Sequence, residues 1–335
     1  MDASPVIAEV VRSDFVESRH RGSAVVIGSD GQAEVSLGDV TSPMSPRSSN
    51  KPMQAVGILR CGVDLADELL ALASASHAGN ALHRNGVRKI LATAGLDETA
   101  LRNPATLPLD DRVADDYLRA GGEPSVVVQN CSGQHAAMLA ACTTNGWPTE
   151  SYLQADHPLQ LVVAGAVADL AGEPIAATLI DGCGLPLFTF GLTGLVRAYR
   201  ALVIAEPGSL PRRVADAMRA HPEFVAGDGM LVTELMREVP GLLAKSGAEG
   251  VMAFALPDGR AAAIKVEDGS SRSIAPLTRV LLDYLGLGRP SLTDLTRVPV
   301  HGVEEEVGEV RPSRAFLAAF AESTASGVTS AEQEC

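Results

Sequence analysis

Both ends of this chain read as β-hairpins, and the long stretch between them does not. Residues 23–28 (SAVVIG) and 32–37 (QAEVSL) are strand-like runs on either side of Ser29-Asp30-Gly31, a tight-turn sequence. Residues 250–256 and 261–266 repeat the pattern around Pro257-Asp258-Gly259, and a last strand is expected near 307–310. The middle is rich in Ala and Leu. Helical spacing of its larger apolar side chains predicts helices over 65–76, 114–120, 133–143, 157–170 and 211–220. The economical topology pairs the two terminal hairpins in one antiparallel sheet with a helical insertion, an α/β (α+β) fold. Residues 1–50 and 240–318 then form a discontinuous sheet subdomain and 51–239 a helical one. The Ser-, Thr-, Gly- and Glu-rich stretch 319–335 is expected to fray.

Composition narrows the function. Hydrophobic residues make up 46% and charged residues 20%, as in a globular protein. A net charge of -14 with dispersed Arg argues against a nucleic-acid partner, because phosphate contacts need a basic patch. No run approaches the ~20 apolar residues of a membrane span. Met1-Asp2-Ala3-Ser4-Pro5 lacks the basic start and apolar block of a signal peptide. Five cysteines (Cys61, Cys131, Cys142, Cys183, Cys335) are an odd number without tight spacing, which argues against a disulfide framework. A cytoplasmic protein with reduced thiols is expected.

Chemistry enters through the lysines. Twenty-three of the 27 basic residues are Arg, and two of the four Lys close or open short motifs. Lys51 ends Ser48-Ser49-Asn50-Lys51, and Lys245 begins Lys245-Ser246-Gly247. These are the first and last signatures of serine acyl-transfer enzymes with a Ser-x-x-Lys nucleophile. Arg is always charged, whereas a desolvated Lys can lose its proton and accept one from a serine. Chance alone gives roughly 0.3 Ser-x-x-Lys matches and ~0.05 Lys-Ser/Thr-Gly matches in such a chain. On a helix Ser48 and Lys51 share a face, and Pro52 belongs in a first turn, so Ser48 is expected at a helix N-terminus. A plain N-cap serine with an exposed Lys one turn on fits the same residues. Lys245 fits either a sheet edge facing the nucleophile or a turn after a helix. Ser76, ending an Ala-rich helix, is a candidate partner for it.

Two cysteine blocks sit at element junctions: Asn130-Cys131-Ser132-Gly133-Gln134-His135 before an apolar helix, and Asp181-Gly182-Cys183-Gly184 after a strand. They could share a metal, although most isolated Cys are small buried hydrophobes. The Gly-rich loop 221–229 is not followed by Gly-Lys-Ser/Thr and does not fit a phosphate loop.

With these blocks the chain resembles the rhizobial-type (class 3) L-asparaginases, the L-asparaginase II family. Arg47-Ser48-Ser49-Asn50-Lys51-Pro52, Ser76-His77, Asn130-Cys131-Ser132-Gly133, Asp156-His157-Pro158 and the Asp181 to Pro186 block match. The 221–229 loop, Lys245-Ser246-Gly247-Ala248 and the Lys265 to Gly269 block follow in family order, from about residue 7 to residue 312. The resemblance implies a serine β-lactamase/glutaminase-like fold, a homodimer, and hydrolysis of L-asparagine to L-aspartate and ammonia. It also implies two Ser-Lys pairs, Ser48 with Lys51 and Ser76 with Lys245. Ser48 is the expected nucleophile with Lys51 as its base, and the roles of the two pairs can be exchanged. Arg47, His135 and Asp181 are the expected contacts for the charged ends of the substrate.

The family's zinc, held by two cysteines and a lysine, would fall on Cys131, Cys183 and the position of Gln134. Here the chain departs from the pattern, with Cys-Ser-Gly-Gln-His in place of Cys-Ser-Gly-Lys-His. An amide nitrogen does not ligate zinc and an amide oxygen is a poor donor for it, so zinc is expected to be weak or absent. Two rival functions remain open at this point. One is a glutaminase or penicillin-recognising acyl hydrolase, which predicts a Ser-x-Asn motif that is not found well placed. The other is a non-catalytic small-molecule-binding relative.

Overall fold

The computed structural model describes residues 4–326 of the chain, with side chains to residue 321. Its ten strands are β1 Val6–Arg12, β2 Phe15–Ile27, β3 Ala33–Leu37, β4 Ala177–Ile180, β5 Pro186–Thr189, β6 Leu243–Gly247, β7 Val251–Ala255, β8 Ala261–Val266, β9 Val298–His301 and β10 Glu306–Pro312. Eight form one antiparallel sheet in the order β6-β7-β8-β2-β1-β10-β9, with β3 beside β2. The expected joining of the two chain ends occurs at β2 and β8, in register from Gly22–Val266 to Ile27–Ala261. β4 and β5 form a separate hairpin.

β2 is longer than the sequence pattern showed. Its inner half, the legible part, is buried between β8 and β3. Its outer half pairs with β1, and there Glu17, Arg19 and Arg21 alternate with less exposed positions. A strand with one face in water carries polar residues at every second position, so it lacks a continuous apolar run. Gly22 marks the change of partner. A Cβ there would collide with the Lys265 backbone carbonyl of β8.

The five expected helices appear as Asp67–Ala73, Asp111–Arg119, Ser132–Asn145, Pro158–Ala171 and Leu210–Ala220. Ala81–Thr93, Leu192–Ile204, Leu231–Glu238 and Ile274–Tyr284 are further helices. Leu192–Ile204 lies against β2, β7 and β8. A single buried core contains residues from both chain ends and from the insertion. Small side chains allow this close packing, as in Ala261, Ala262 and Ala263 of β8, all fully buried.

At the C-terminal end the structure differs from the expected fraying. A helix runs over Arg314–Ser326, and Phe316 and Phe320 are buried and in ring contact. Two aromatic anchors one turn apart hold this helix against β1 and β3. The remainder of the expected tail, 327–335, lies outside the described residues.

Candidate active site

Ser48 belongs to a short 3-10 turn, Arg47–Asn50, which runs directly into the helix Lys51–Arg60 with Pro52 in its first turn. Neither Ser48 nor Ser49 caps the helix with its side chain; Ser49 is fully buried and donates its hydroxyl to the Pro46 carbonyl at 2.7 Å. Tyr199, also fully buried, donates to the Ser49 carbonyl at 2.8 Å and pins the turn from below. Ser48 is half-buried, and among the described residues its hydroxyl has no hydrogen-bond partner. Lys245 lies on β6, the edge strand, so the sheet-edge placement holds rather than a turn after a helix. Gly247 lets that edge touch the Ser48 turn. A Cβ at 247 would sit 3.0 Å from the Ser49 backbone nitrogen and 3.3 Å from that of Ser48.

The lysines do not divide between the serines as expected. Lys245 Nζ lies 3.0 Å from Ser76 Oγ and donates to the Ser246 carbonyl at 2.8 Å. Lys51 Nζ, expected on Ser48, instead donates to the Ala75 carbonyl at 2.5 Å and lies 3.4 Å from Ser76 Oγ. Ser76 is therefore shared by two lysines that are each only 1% exposed. The reason is the backbone at 75–76, which ends the helix Asp67–Ala73 and turns a free carbonyl toward the Lys51 ammonium. Burial pushes the Lys245 amine well below the ordinary lysine range, and the nearby Lys51 charge pushes it the same way.

Lys51 has a third neighbour. It lies within electrostatic reach of Cys131, and Cys183 and Lys51 both favour the charged form of the Cys131 thiol, against the opposing effect of burial. Cys183, whose thiol donates to Asp181 Oδ2 at 3.8 Å, is raised by Cys131 and by burial. The two distant cysteine blocks are thus electrostatically coupled to one another and to the Ser-Lys cluster.

The three expected substrate contacts fall in two groups. Arg47 and Asp181 face each other at the rim, with Arg47 Nε and Nη2 both 2.7 Å from Asp181 Oδ1. Arg47 also has a left-handed backbone, φ 49°, which is uncommon for a non-glycine residue and is held here by that ion pair. His135 stands apart from that pair. It is fully buried in the helix Ser132–Asn145, with Nδ1 2.7 Å from the Tyr152 hydroxyl, Nε2 without a hydrogen-bond partner among the described residues, and Lys51 within electrostatic reach. Every residue from 132 to 142 is buried, so the helix has no solvent face on which a motif histidine could emerge.

Zinc does not fit this donor set. Gln134 is 1% exposed and donates its amide nitrogen to Gln54 Oε1 at 2.5 Å. Among the described residues no group of three His, Cys, Asp or Glu side chains stands close enough to hold a metal ion. The position that would carry the family's third nitrogen donor holds an amide turned to Gln54, and an amide is a poor ligand for a borderline-soft ion.

Sequence reasoning missed the residues that hold Ser76 in place. Ser76, His77 and Ala78 are fixed by backbone bonds to Val225, Asn130 and Ala226. His77 Nε2 lies 2.9 Å from Ser132 Oγ, which itself donates to the Val127 carbonyl. The only signal for this link was the adjacency of His77 to Ser76 and of Ser132 to Cys131.

A profile of the L-asparaginase II family matches residues 8–312. No curated protein matches the sequence. Similar solved structures include a candidate beta-lactamase from Bacteroides dorei DSM 17855, at 14% identity and TM-score 0.43, covering 75% of this chain and 86% of that one. Mglu is similar at 14% identity and TM-score 0.37, over 82% of this chain and 68% of that one. Simvastatin synthase from Aspergillus terreus is similar at 11% identity and TM-score 0.36, over 90% and 93%. These are distant likenesses. The family match is not, since it spans both paired chain ends and every serine, lysine and cysteine of the cluster, and this amidohydrolase-type chain belongs to the L-asparaginase II family.

Proposed function

We propose that the protein hydrolyses L-asparagine to L-aspartate and ammonia by serine–lysine chemistry. The observation that carries this reading is Ser76 Oγ held between two buried lysines, at 3.0 and 3.4 Å. Burial disfavours the charged form of the Lys245 amine, which makes it a usable base. Ser48, half-buried with a free hydroxyl at the helix N-terminus, is the attacking oxygen in this scheme. It forms a bond to the side-chain amide carbon of asparagine while its proton passes to Lys51, whose amine has to turn from the Ala75 carbonyl toward Ser48 for this step. Ser76 then relays a proton between Lys51 and the Lys245 amine, which restores Lys51 as a base. Ammonia leaves with one of these protons, and water cleaves the acyl-enzyme to aspartate. The positive end of the helix Lys51–Arg60 favours charge developing near Ser48.

Arg47 and Asp181 are opposite charges at the rim, and the α-carboxylate and α-ammonium of asparagine exchange with them on binding. A homodimer and a cytoplasmic location belong to the same proposal, from the resemblance and the composition. A second reading has Ser76 as nucleophile and Lys245 as its base, and the 3.0 Å contact between them favours it.

Ammonia release should be measured from asparagine, glutamine and a chromogenic β-lactam in parallel. Asparagine is expected to turn over fastest. Preference for glutamine or the β-lactam, or no turnover of any, would overturn the reading. Quenched acyl-enzyme mapped by mass spectrometry should carry its adduct on Ser48, and an adduct on Ser76 would establish the second reading.

A further inference from the structure

We infer that the cavity between the helices Ala81–Thr93 and Asp111–Arg119 binds a small monocarboxylate with an apolar body, at a site separate from the serine–lysine cluster. The cavity has a volume of about 420 Å³, and its walls include Asn80, Ala81, Arg84, Val113, Tyr117 and Ala120. No serine or lysine of the cluster lines it, and neither does Arg47 or Asp181. Its size falls in the range of small-molecule sites.

The observation that carries the inference is Arg84. The other arginines of these two helices are all paired with carboxylates: Arg88 with Glu98, Arg112 with Asp110, and Arg119 with Asp115 and Asp116. Among the described residues the Arg84 side chain has no ion pair and no hydrogen bond, in a chain of net charge -14. Asp116 lines the same cavity but is committed to Arg119 at 2.7 Å. The Arg84 guanidinium instead lies over the Tyr117 ring, 5.0 Å from its centre. Such a contact orients a cation without neutralising it. Arg84 is thus held in a cavity wall with its charge uncompensated.

The lining selects the ligand. Arg84 Nε is buried without a partner, so the two Nη atoms are the donors left for a ligand. A carboxylate matches that edge with two parallel N–H···O bonds. Ala81, Val113, Ala120 and the Tyr117 ring supply apolar wall for the rest of the molecule. The ring is fixed beforehand. Its hydroxyl donates to the Glu123 carbonyl at 3.1 Å, and it packs so closely on Gly122 that a Cβ there would lie 2.5 Å away. A phosphate dianion would need a second free cation, and the neighbouring Arg112 and Arg119 already have their acids.

The test uses the full chain, with benzoate as the probe and benzamide as its uncharged counterpart, followed by calorimetry and saturation-transfer NMR. Benzoate should bind saturably with a Kd of ~0.1–5 mM, as suits a ligand of about nine heavy atoms. Benzamide and inorganic phosphate should bind at least ~10-fold more weakly. Arg84→Met keeps an apolar stem without the guanidinium and should weaken benzoate by ~10-fold or more. Ala120→Phe fills the cavity and leaves Arg84 in place, and it should also remove binding. Ala120 is exposed at a helix end, so this variant reads the cavity even where Arg84→Met destabilises the fold. L-Asparagine should not displace benzoate. All these readouts are of binding, so they stand or fall separately from the proposed hydrolysis. Absence of saturable binding, equal binding of benzamide, preference for phosphate, displacement by asparagine, or unchanged affinity in both variants would each overturn the inference.

Discussion

Lys51 stands between two clusters that have fared differently in this chain. On one side are Ser76 and Lys245, with the lysines of both Ser-Lys motifs converging on the Ser76 hydroxyl. On the other are Cys131 and Cys183, which are electrostatically coupled but have an amide where a third nitrogen donor belongs. The lysines of the first cluster and the cysteines of the second are all at most 4% exposed. Their difference separates two properties that usually travel together. Proton transfer needs only that each group reach the next, whereas metal ligation needs a complete set of donors at once. One substitution is therefore expected to weaken the second property and leave the first.

The largest effect expected is on the proton-transfer side. Ser48→Ala removes the attacking oxygen with little change in packing and should lower turnover by at least ~1000-fold. Ser76→Ala breaks the relay but leaves the nucleophile, so a loss of about 100-fold is expected, with the remaining rate rising more steeply with pH. If Ser76→Ala proves the more damaging of the two in steady-state assays, the clusters have been read with the wrong serine in front.

Lys51→Arg comes next, because Lys51 belongs to both clusters. Arg keeps the positive charge beside Cys131 but supplies no neutral base, so turnover should fall by about 100- to 10,000-fold. The same logic fixes the pH dependence of the unmutated enzyme. Burial lowers the Lys245 amine, so its neutral form persists below the ordinary lysine range, and the rate should climb as pH rises and more amine is free. A flat rate down to about pH 6, or substantial rescue by Arg, would show that the lysines act as fixed cations.

How much of this could be read beforehand differs between the clusters. The lysines were legible because they are scarce in an Arg-rich chain and each sits in a short motif. Ser76 as the shared hydroxyl was not, because it depends on the Ala75 carbonyl capturing Lys51. The terminal hairpins were legible from apolar runs and turn residues, whereas the outer half of β2 was hidden by its polar alternation. The surroundings of His135 were not legible at all. Its place in a motif says nothing of burial, and the helix that carries it is buried from 132 to 142.

Gln134→Lys is a direct way to remove the contrast between the clusters. It restores a nitrogen donor next to two thiols and should raise zinc affinity by about 10- to 100-fold, with turnover changed less. The unmutated chain should hold substoichiometric zinc in metal analysis after dialysis. Full, tight loading without the substitution would show that the amide is no obstacle, and the asymmetry drawn here would disappear.

The smallest effect concerns His135, placed by sequence at the substrate and by structure in the core. Burial, and then the charge on Lys51, push its imidazole down to about 3 from the ordinary 6.5. In the unfolded chain it takes up a proton near 6.5, while in the folded chain it resists until about 3. The unfolded state therefore binds more protons across that window. Stability contributed by the neutral imidazole is present above about 6.5 and is lost progressively as pH falls toward 3. His77 and His83 are lowered in the same sense and add to the slope. His135→Gln keeps a polar group beside Tyr152 but cannot titrate. Urea unfolding should show a shallower loss of stability between pH 7 and 4.5, by about one proton's worth, which is ~1.4 kcal/mol per pH unit at full effect. KM for asparagine should stay within about two-fold, since a fully buried side chain removes no substrate contact. A tenfold rise in KM with an unchanged acid slope would return His135 to the substrate and put the Tyr152 contact in second place.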